Sequence, residues 1–114
     1  MAQQFQEQIL FQHRTSSTND EFVWQCPQHY TAIIKGVSIA NVGADNITYR
    51  FFINNSGKTF GIGNALGYDI GIVANSTQLW SGFSGVKYPA SIGVRSSVSQ
   101  NIVITGFGIL MQTG

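Results

Sequence analysis

The sequence predicts an all-β domain, an antiparallel sandwich or barrel of about eight short strands. Three observations support this fold class. Apolar and polar residues alternate in short runs, which is the pattern of half-buried strands. Clusters of Gly, Asn, Asp and Ser separate these runs at nearly regular intervals. No stretch combines a helical apolar period with a capping residue, and 114 residues is the length of one domain.

The clearest stretch covers residues 30–54 and predicts a β-hairpin with one buried face. Its two halves place apolar residues at intervals of two or four, so an extended chain directs them to one side. Between the halves, residues 41–46 contribute Gly, Asn and Asp, which tolerate positive φ or bond their own backbone in turns. The expected buried face consists of Ile33, Val37, Ile39, Ile47, Tyr49, Phe51 and Ile53.

Six more strands are predicted, near residues 8–13, 21–26, 66–72, 79–83, 92–96 and 101–111. The Gly-rich segment 55–67 is expected to be a loop with room for a short strand at Phe60 or Ile62. The segment 101–111 is apolar on both faces, as expected of a central strand or of one also covered by a partner. The core residues expected from these strands are Leu66, Tyr68, Ile70, Ile72, Ile92, Val94, Ile102 and Ile104.

Residues 1–20 are expected to form an N-terminal arm with one short strand, ahead of a sandwich domain at 21–114. A helix over residues 2–12 lacks both a cap and a periodic apolar face. A free tail would leave four apolar side chains exposed to water without a contact. This favours a tether onto a neighbouring subunit over a frayed terminus. The expected contact residues are Phe5, Ile9, Leu10 and Phe11.

The composition excludes several classes of partner. Charged residues make up 10% of the chain, against about 25% in ordinary soluble proteins. The net charge is +1 and the six Lys and Arg residues are scattered, which argues against a nucleic-acid partner. No apolar run reaches the roughly 18 residues of a membrane span, and the first residues lack the pattern of a secretory signal. The single Cys26 excludes an intrachain disulfide and is expected as a small buried residue.

No constellation of residues predicts catalysis, a metal site or a cofactor. The G-K-T at 57–59 lacks the earlier glycine of a phosphate-binding loop, because that position is Phe52. His13 and His29 have too few partners for zinc, and Cys26 with His29 forms only a lone C-x-x-H. No serine lies in a nucleophile elbow. No pair suited to glycoside hydrolysis is evident among the carboxylates, which are Glu7, Asp20, Glu21, Asp45 and Asp69.

The larger aromatic residues allow two interpretations. Their rings could form a platform for sugars, because they combine apolar faces with polar tips. Packing in the core and at interfaces is the favoured interpretation. These residues are Trp24, Trp80, Tyr30, Tyr49, Tyr68 and Tyr88.

Three segments resemble a known family. The strand TAIIKGVSIAN at 31–41, the strand ITYRFFIN at Ile47–Asn54 and the run IVITG at 102–106 resemble a small β-sandwich module of tailed-bacteriophage virion proteins. That family carries a T-A-I-V-K-S-I-T-V-x-N strand and ends on an x-V-x-V-x-G strand. The resemblance extends from residue 22 to the C terminus and rests on strand and turn residues. It implies a jelly-roll-like sandwich.

The resemblance also implies a non-enzymatic structural role in a tailed-phage virion that is assembled in the host cytoplasm. The expected protein is a capsid decoration or cement protein, a homotrimer that rests on the major capsid protein and stabilises the head shell. A tail, neck or fibre-associated adaptor is the alternative within the virion. A carbohydrate-binding attachment module is the alternative from a different class. No cofactor, nucleic acid or membrane partner is expected.

Overall fold

The computed structural model describes residues 7–112 and shows an all-β protein, which confirms the predicted fold class. Two four-stranded antiparallel sheets pack as a β-sandwich. The only helix in the described chain is a turn of 3-10 helix at Ile62–Asn64, where the sequence allowed a short strand. The strands are β1 (Gln8–Arg14), β2 (Glu21–Gln25), β3 (Tyr30–Asn41), β4 (Ile47–Asn54), β5 (Ala65–Ile72), β6 (Thr77–Lys87), β7 (Ser91–Ser96) and β8 (Ile102–Gln112).

The strands pair in a nested order. β4 pairs with β5, β3 with β6, β2 with β7 and β1 with β8, so the chain resembles one long hairpin rolled up on itself. Two further pairings, β3 with β8 and β4 with β7, complete the sheets. The first sheet has the order β1-β8-β3-β6 and the second sheet the order β2-β7-β4-β5. This strand order is jelly-roll-like.

The predicted hairpin over residues 30–54 is wrong, although both of its strands form. β3 belongs to the first sheet and β4 to the second, and the turn between them crosses from one sheet to the other. The apolar faces of the two strands therefore face each other across the core. The alternation of apolar and polar residues is the same whether two strands pair as a hairpin or face each other across the core. It indicates which face of a strand is buried and not which strand is its neighbour.

A register shift in β3 changes which of its residues face the core. Ile34 and Val37 are both fully buried although they are three residues apart. Lys35 stands between them as an extra residue opposite β8, and such a bulge reverses the alternation. Ile33 is consequently only partly buried, so its predicted place in the core is wrong.

Register shifts also correct the prediction for β5. Two shifts against β4 leave Gly67 buried, with the Trp80 ring in the space that a side chain would need. Leu66 and Tyr68 therefore turn outward and expose 39% and 41% of their surface, which removes both from the core.

The other predicted core residues lie at or beside the core. Ile53 and Ile70 are partly buried and pack against it. Some core members were not predicted, among them Ile34 and Val86. The fully or nearly fully buried residues from the predicted set are Val37, Ile39, Ile47, Tyr49, Phe51, Ile72, Ile92, Val94, Ile102 and Ile104.

β1 is an integral strand of the first sheet. It pairs with β8 over its whole length, and Phe11 is only 6% exposed. The Phe11 ring stacks on Trp24 with 5.6 Å between the ring centroids. It also fills the space beside Gly106, where a Cβ would overlap the ring. Phe11 is therefore a core residue rather than an arm contact.

The remaining residues of the expected arm differ in their surroundings. Leu10 is partly buried and packs against the core. Ile9 exposes 66% of its surface and remains available for a contact. Phe5 lies outside the described residues.

The loop at 55–61 folds back over the outer face of the second sheet. Phe60 stacks on Phe52 with 5.5 Å between the ring centroids and covers Gly93. The side-chain amide of Asn54 donates to the carbonyl of Thr59 at 2.6 Å and holds the loop in place. Phe52 is consequently buried even though it lies on the outer side of its strand.

Candidate functional site

The outer face of the first sheet carries several exposed apolar side chains, and we call it the apolar face. In β8, Ile102 and Ile104 face the core, so the residues between and after them face outward. One row of direct cross-strand neighbours on this side consists of Gln12, Thr105, Ser38 and Leu79. The apolar side chains of the face are Ile9, Ile33, Leu79, Val103, Phe107 and Ile109.

Several side chains of the apolar face are strongly exposed. Leu79 exposes 76% of its surface, Ile9 66% and Phe107 40%. The charged groups Lys35 and Glu7 are paired with each other, with 2.7 Å between Lys35 Nζ and Glu7 Oε1. Strongly exposed apolar side chains on one sheet face, with few charges among them, are typical of a protein–protein contact.

The apolar face explains why the C-terminal strand is apolar on both sides. β8 lies between β1 and β3, so the prediction of a central strand is confirmed. Its inner side contributes to the core, and its outer side belongs to the apolar face. Cover by a partner was the other possibility, and it stays a prediction.

A second site lies on the outer face of the second sheet, and we call it the arginine cleft. Arg50 of β4 and Arg95 of β7 are direct cross-strand partners. Asp69 accepts hydrogen bonds from Arg50 Nε at 2.7 Å and from Arg50 Nη2 at 3.4 Å. Arg95 Nη1 lies 3.6 Å from Asp20 Oδ1. The Tyr68 ring centroid lies 3.9 Å from Arg50 Cζ, and the four charges sum to zero.

Both Tyr68 and Asp69 reach Arg50 because β5 carries an extra residue at this point. Tyr49 pairs with Ile70 and Phe51 pairs with Gly67, so Tyr68 and Asp69 both lie opposite Arg50. Asp69 takes a φ of 53°, which is uncommon for a residue other than glycine. The hydrogen bond from Arg50 lowers the pKa of Asp69, and the same bond raises the pKa of Arg50.

The two arginines border a cavity of about 190 Å³. This cavity was not predicted from the sequence. The available signal was that Arg50 and Arg95 each occupy an outward position within an alternating strand. The cavity is lined by Thr18, Thr48, Tyr49, Arg50, Asp69, Arg95 and Ser97.

Glu21, at the start of β2, ties down the loop that leads from β1. Its carboxylate accepts hydrogen bonds from Ser16 N at 3.0 Å and Ser17 N at 2.9 Å, and lies 2.8 Å from His13 Nε2. Burial acts to raise the pKa of Glu21, but the bonds from His13, Ser17 and Ser16 outweigh burial, so the pKa is lowered. This cluster holds the crossing between the two sheets in place.

Replacing Glu21 with glutamine should lower the free energy of unfolding by about 1–2 kcal/mol at neutral pH, because the neutral amide is a weaker acceptor. The folded-state pKa lies below the ordinary value of 4.5. The carboxylate therefore contributes stability above that value, and this contribution is lost as pH falls through the folded-state pKa. Urea unfolding at neutral pH and in acid should show a larger acid loss for the wild type than for Glu21→Gln. Equal losses would contradict the prediction.

Of the other candidate residues from the sequence, His29, Tyr30 and Tyr88 border one open cavity together with Gln28 and Lys87. Cys26 is fully buried, and burial raises the pKa of its thiol. His29 lies exposed in a turn. Trp24 and Trp80 are half-buried against the core, and Trp80 Nε1 donates to the hydroxyl of Tyr49 at 2.9 Å. Among residues 7–112, no three His, Cys, Asp or Glu side chains converge as metal ligands would.

No known family model matches this sequence, and no curated protein matches it. In the part of the chain that the structure describes, no helix is long and apolar enough to cross a membrane.

Proposed function

We propose that the protein is a non-enzymatic structural component of a tailed-phage virion, a capsid decoration protein that stabilises the head shell. The observation that carries this proposal is the apolar face. Four strands about 4.8 Å apart, with about ten residues each at 3.3 Å, span roughly 600 Å². A standard interface buries about 800 Å² on each partner, so the apolar face approaches the size of a stable contact.

Sister copies of this chain are the proposed occupants of the apolar face, in a homotrimer that rests on the major capsid protein. Only 10% of the residues are charged, so copies approach one another without strong repulsion. The Lys35–Glu7 pair is satisfied within each chain and needs no charge from a partner. Burial of Leu79, Ile9 and Phe107 supplies the driving force at about 25 cal/mol per Å² of apolar surface.

The mechanism is mechanical. A trimer that bridges neighbouring shell subunits adds buried area, and this area must be exposed again before those subunits can separate. No bond is made or broken in this role. The phage context rests on the resemblance of residues 31–41, Ile47–Asn54 and 102–106 to virion sandwich modules.

Light scattering over a range of protein concentrations tests the proposed self-contact. We expect a trimer for the wild type and at least a thirtyfold weaker association for Leu79→Glu, because a carboxylate buried without a partner costs about 2 kcal/mol or more. Ile62→Glu is the matched control. Ile62 is 77% exposed, close to the 76% of Leu79, but lies in the connection between β4 and β5.

The outcomes separate the self-contact from the role in the virion. A monomer at every concentration, or equal weakening by Leu79→Glu and Ile62→Glu, would contradict assembly through the apolar face. The trimer is then mixed with empty heads built from the major capsid protein and sedimented. Co-sedimentation of the wild type supports a decoration role, whereas a trimer that stays in the supernatant contradicts it.

A further inference from the structure

The arginine cleft contains a pair of like charges that the fold forces together. Arg50 and Arg95 stand directly opposite each other on β4 and β7. Cross-strand partners have Cβ atoms about 5 Å apart, and like charges in such a position destabilise a sheet. Asp69 neutralises Arg50 with two hydrogen bonds. The charge of Arg95 has no comparable partner.

Arg95 presents unused hydrogen-bond donors to the cavity. Its nearest carboxylate oxygen, Oδ1 of Asp20, lies 3.6 Å away, beyond hydrogen-bonding distance. Within residues 7–112, the guanidinium of Arg95 makes no hydrogen bond, and its side chain is 40% exposed. A guanidinium offers two parallel N–H groups that match the two oxygens of a carboxylate. The wall of the cavity formed by Arg95 is therefore suited to a carboxylate.

The other walls of the cavity favour hydroxyl groups. Ser97 Oγ accepts the Thr48 N–H at 3.0 Å, which leaves its own proton free to turn toward a ligand. Thr18 and Thr48 add further hydroxyls. Asp69 lines the same cavity, and its carboxylate accepts from hydroxyls but repels a bare anion such as phosphate. The volume of about 190 Å³ equals about six water volumes, room for one sugar ring.

We propose that the arginine cleft binds an acidic sugar residue, with its carboxylate on Arg95 and its neighbouring hydroxyls on Asp69 and Ser97. A neutral sugar would bring no carboxylate within hydrogen-bonding distance of Arg95, and a simple anion would bring no hydroxyl donor to Asp69, whose hydrogen bonds come from Arg50. The cleft lies on the opposite side of the sandwich from the apolar face. Sugar binding is thus independent of the proposed self-contact and goes beyond it.

Titration of the full chain with D-glucuronate, followed by NMR of the backbone and arginine Nε–H groups, tests the proposal. We expect shifts centred on Arg95, Thr48 and Ser97 with a dissociation constant on the order of 1 mM. Arg95→Gln should weaken binding about tenfold or more, because a charge-assisted pair is lost. Lys87→Gln changes the charge equally at an exposed position on β6 and should bind like the wild type.

The variant Asp20→Asn distinguishes a ligand-binding role of Arg95 from a purely structural one. Asp20 competes with the ligand for Arg95, so this variant should bind glucuronate several-fold more tightly, with unchanged thermal stability. Weaker or unchanged binding would overturn the assignment of Arg95 as the carboxylate site. Glucose and acetate are titrated in parallel. Equal shifts from either compound, or no shifts with glucuronate, would overturn the acidic-sugar proposal.

Discussion

Replacing Phe11 with alanine is expected to lower the free energy of unfolding by about 3–5 kcal/mol. The side chain is 6% exposed and stacks on Trp24. Its ring fills a space that Gly106 leaves open on the neighbouring strand, and Gly106 has no side chain to refill that space when the ring is removed. The loss of transfer free energy is therefore combined with a cavity that closes poorly.

Urea unfolding monitored by tryptophan fluorescence measures this effect. Ile9→Ala is the matched control, since Ile9 lies two residues earlier in β1 and is 66% exposed. We expect a change within about 0.5 kcal/mol for the control in the isolated chain. Similar losses for the two variants would show that β1 does not pack as a core strand. The result also matters for the expected N-terminal arm at residues 1–20. If Phe11 is a core residue, deleting residues 1–11 would destabilise the sandwich itself and would not test a tether alone.

Replacing Asn41 with alanine is expected to cost about 2–4 kcal/mol. Asn41 is 1% exposed and ends β3 where the chain crosses between the sheets. Its amide donates to the carbonyls of Asp45 at 2.8 Å and Ile72 at 3.2 Å, and its side-chain oxygen accepts from Gly43 N at 3.0 Å. Alanine leaves these backbone groups without their partner in a largely buried site.

Thermal and urea unfolding of Asn41→Ala are compared with those of Asn46→Ala. Asn46 lies at the other end of the same turn, is exposed, and accepts one hydrogen bond from Ala74 N at 3.0 Å. We expect a loss of about 1 kcal/mol or less for this control. If both variants lose the same stability, the crossing does not depend on the buried amide.

Much of the fold was predictable because the alternation that indicates a half-buried strand is visible within a short stretch of sequence. The alternation at Ile47, Tyr49 and Phe51 placed β4 correctly, and the doubly apolar segment 101–111 predicted a central strand. Strand pairing was not predictable, because β3 and β4 carry the same signal whether they are neighbours or face each other. Bulges were missed for a related reason. An extra residue such as Lys35 reverses the alternation without leaving a mark in composition.

The candidate sites depend on that pairing. Arg50 and Arg95 are 45 residues apart in the sequence and meet only because β4 and β7 are neighbours in one register. Shifting β7 by one residue against β4 would move Arg95 to the inner face and separate it from Arg50. The apolar face was partly foreseeable from β8, but Leu79 and Ile9 join it through β6 and β1.

The position of β8 has a consequence for synthesis on the ribosome. β8 fills the slot between β1 and β3, and both strands precede it in the chain. The ribosome adds roughly 5–20 residues per second, so several seconds pass between the synthesis of β3 and the synthesis of β8, which pairs with it. During that time two unpaired edges are open to other nascent chains. A chain truncated within β8 would keep this slot and could accept the β8 of a second copy, so that premature termination leads to polymers joined by strand exchange.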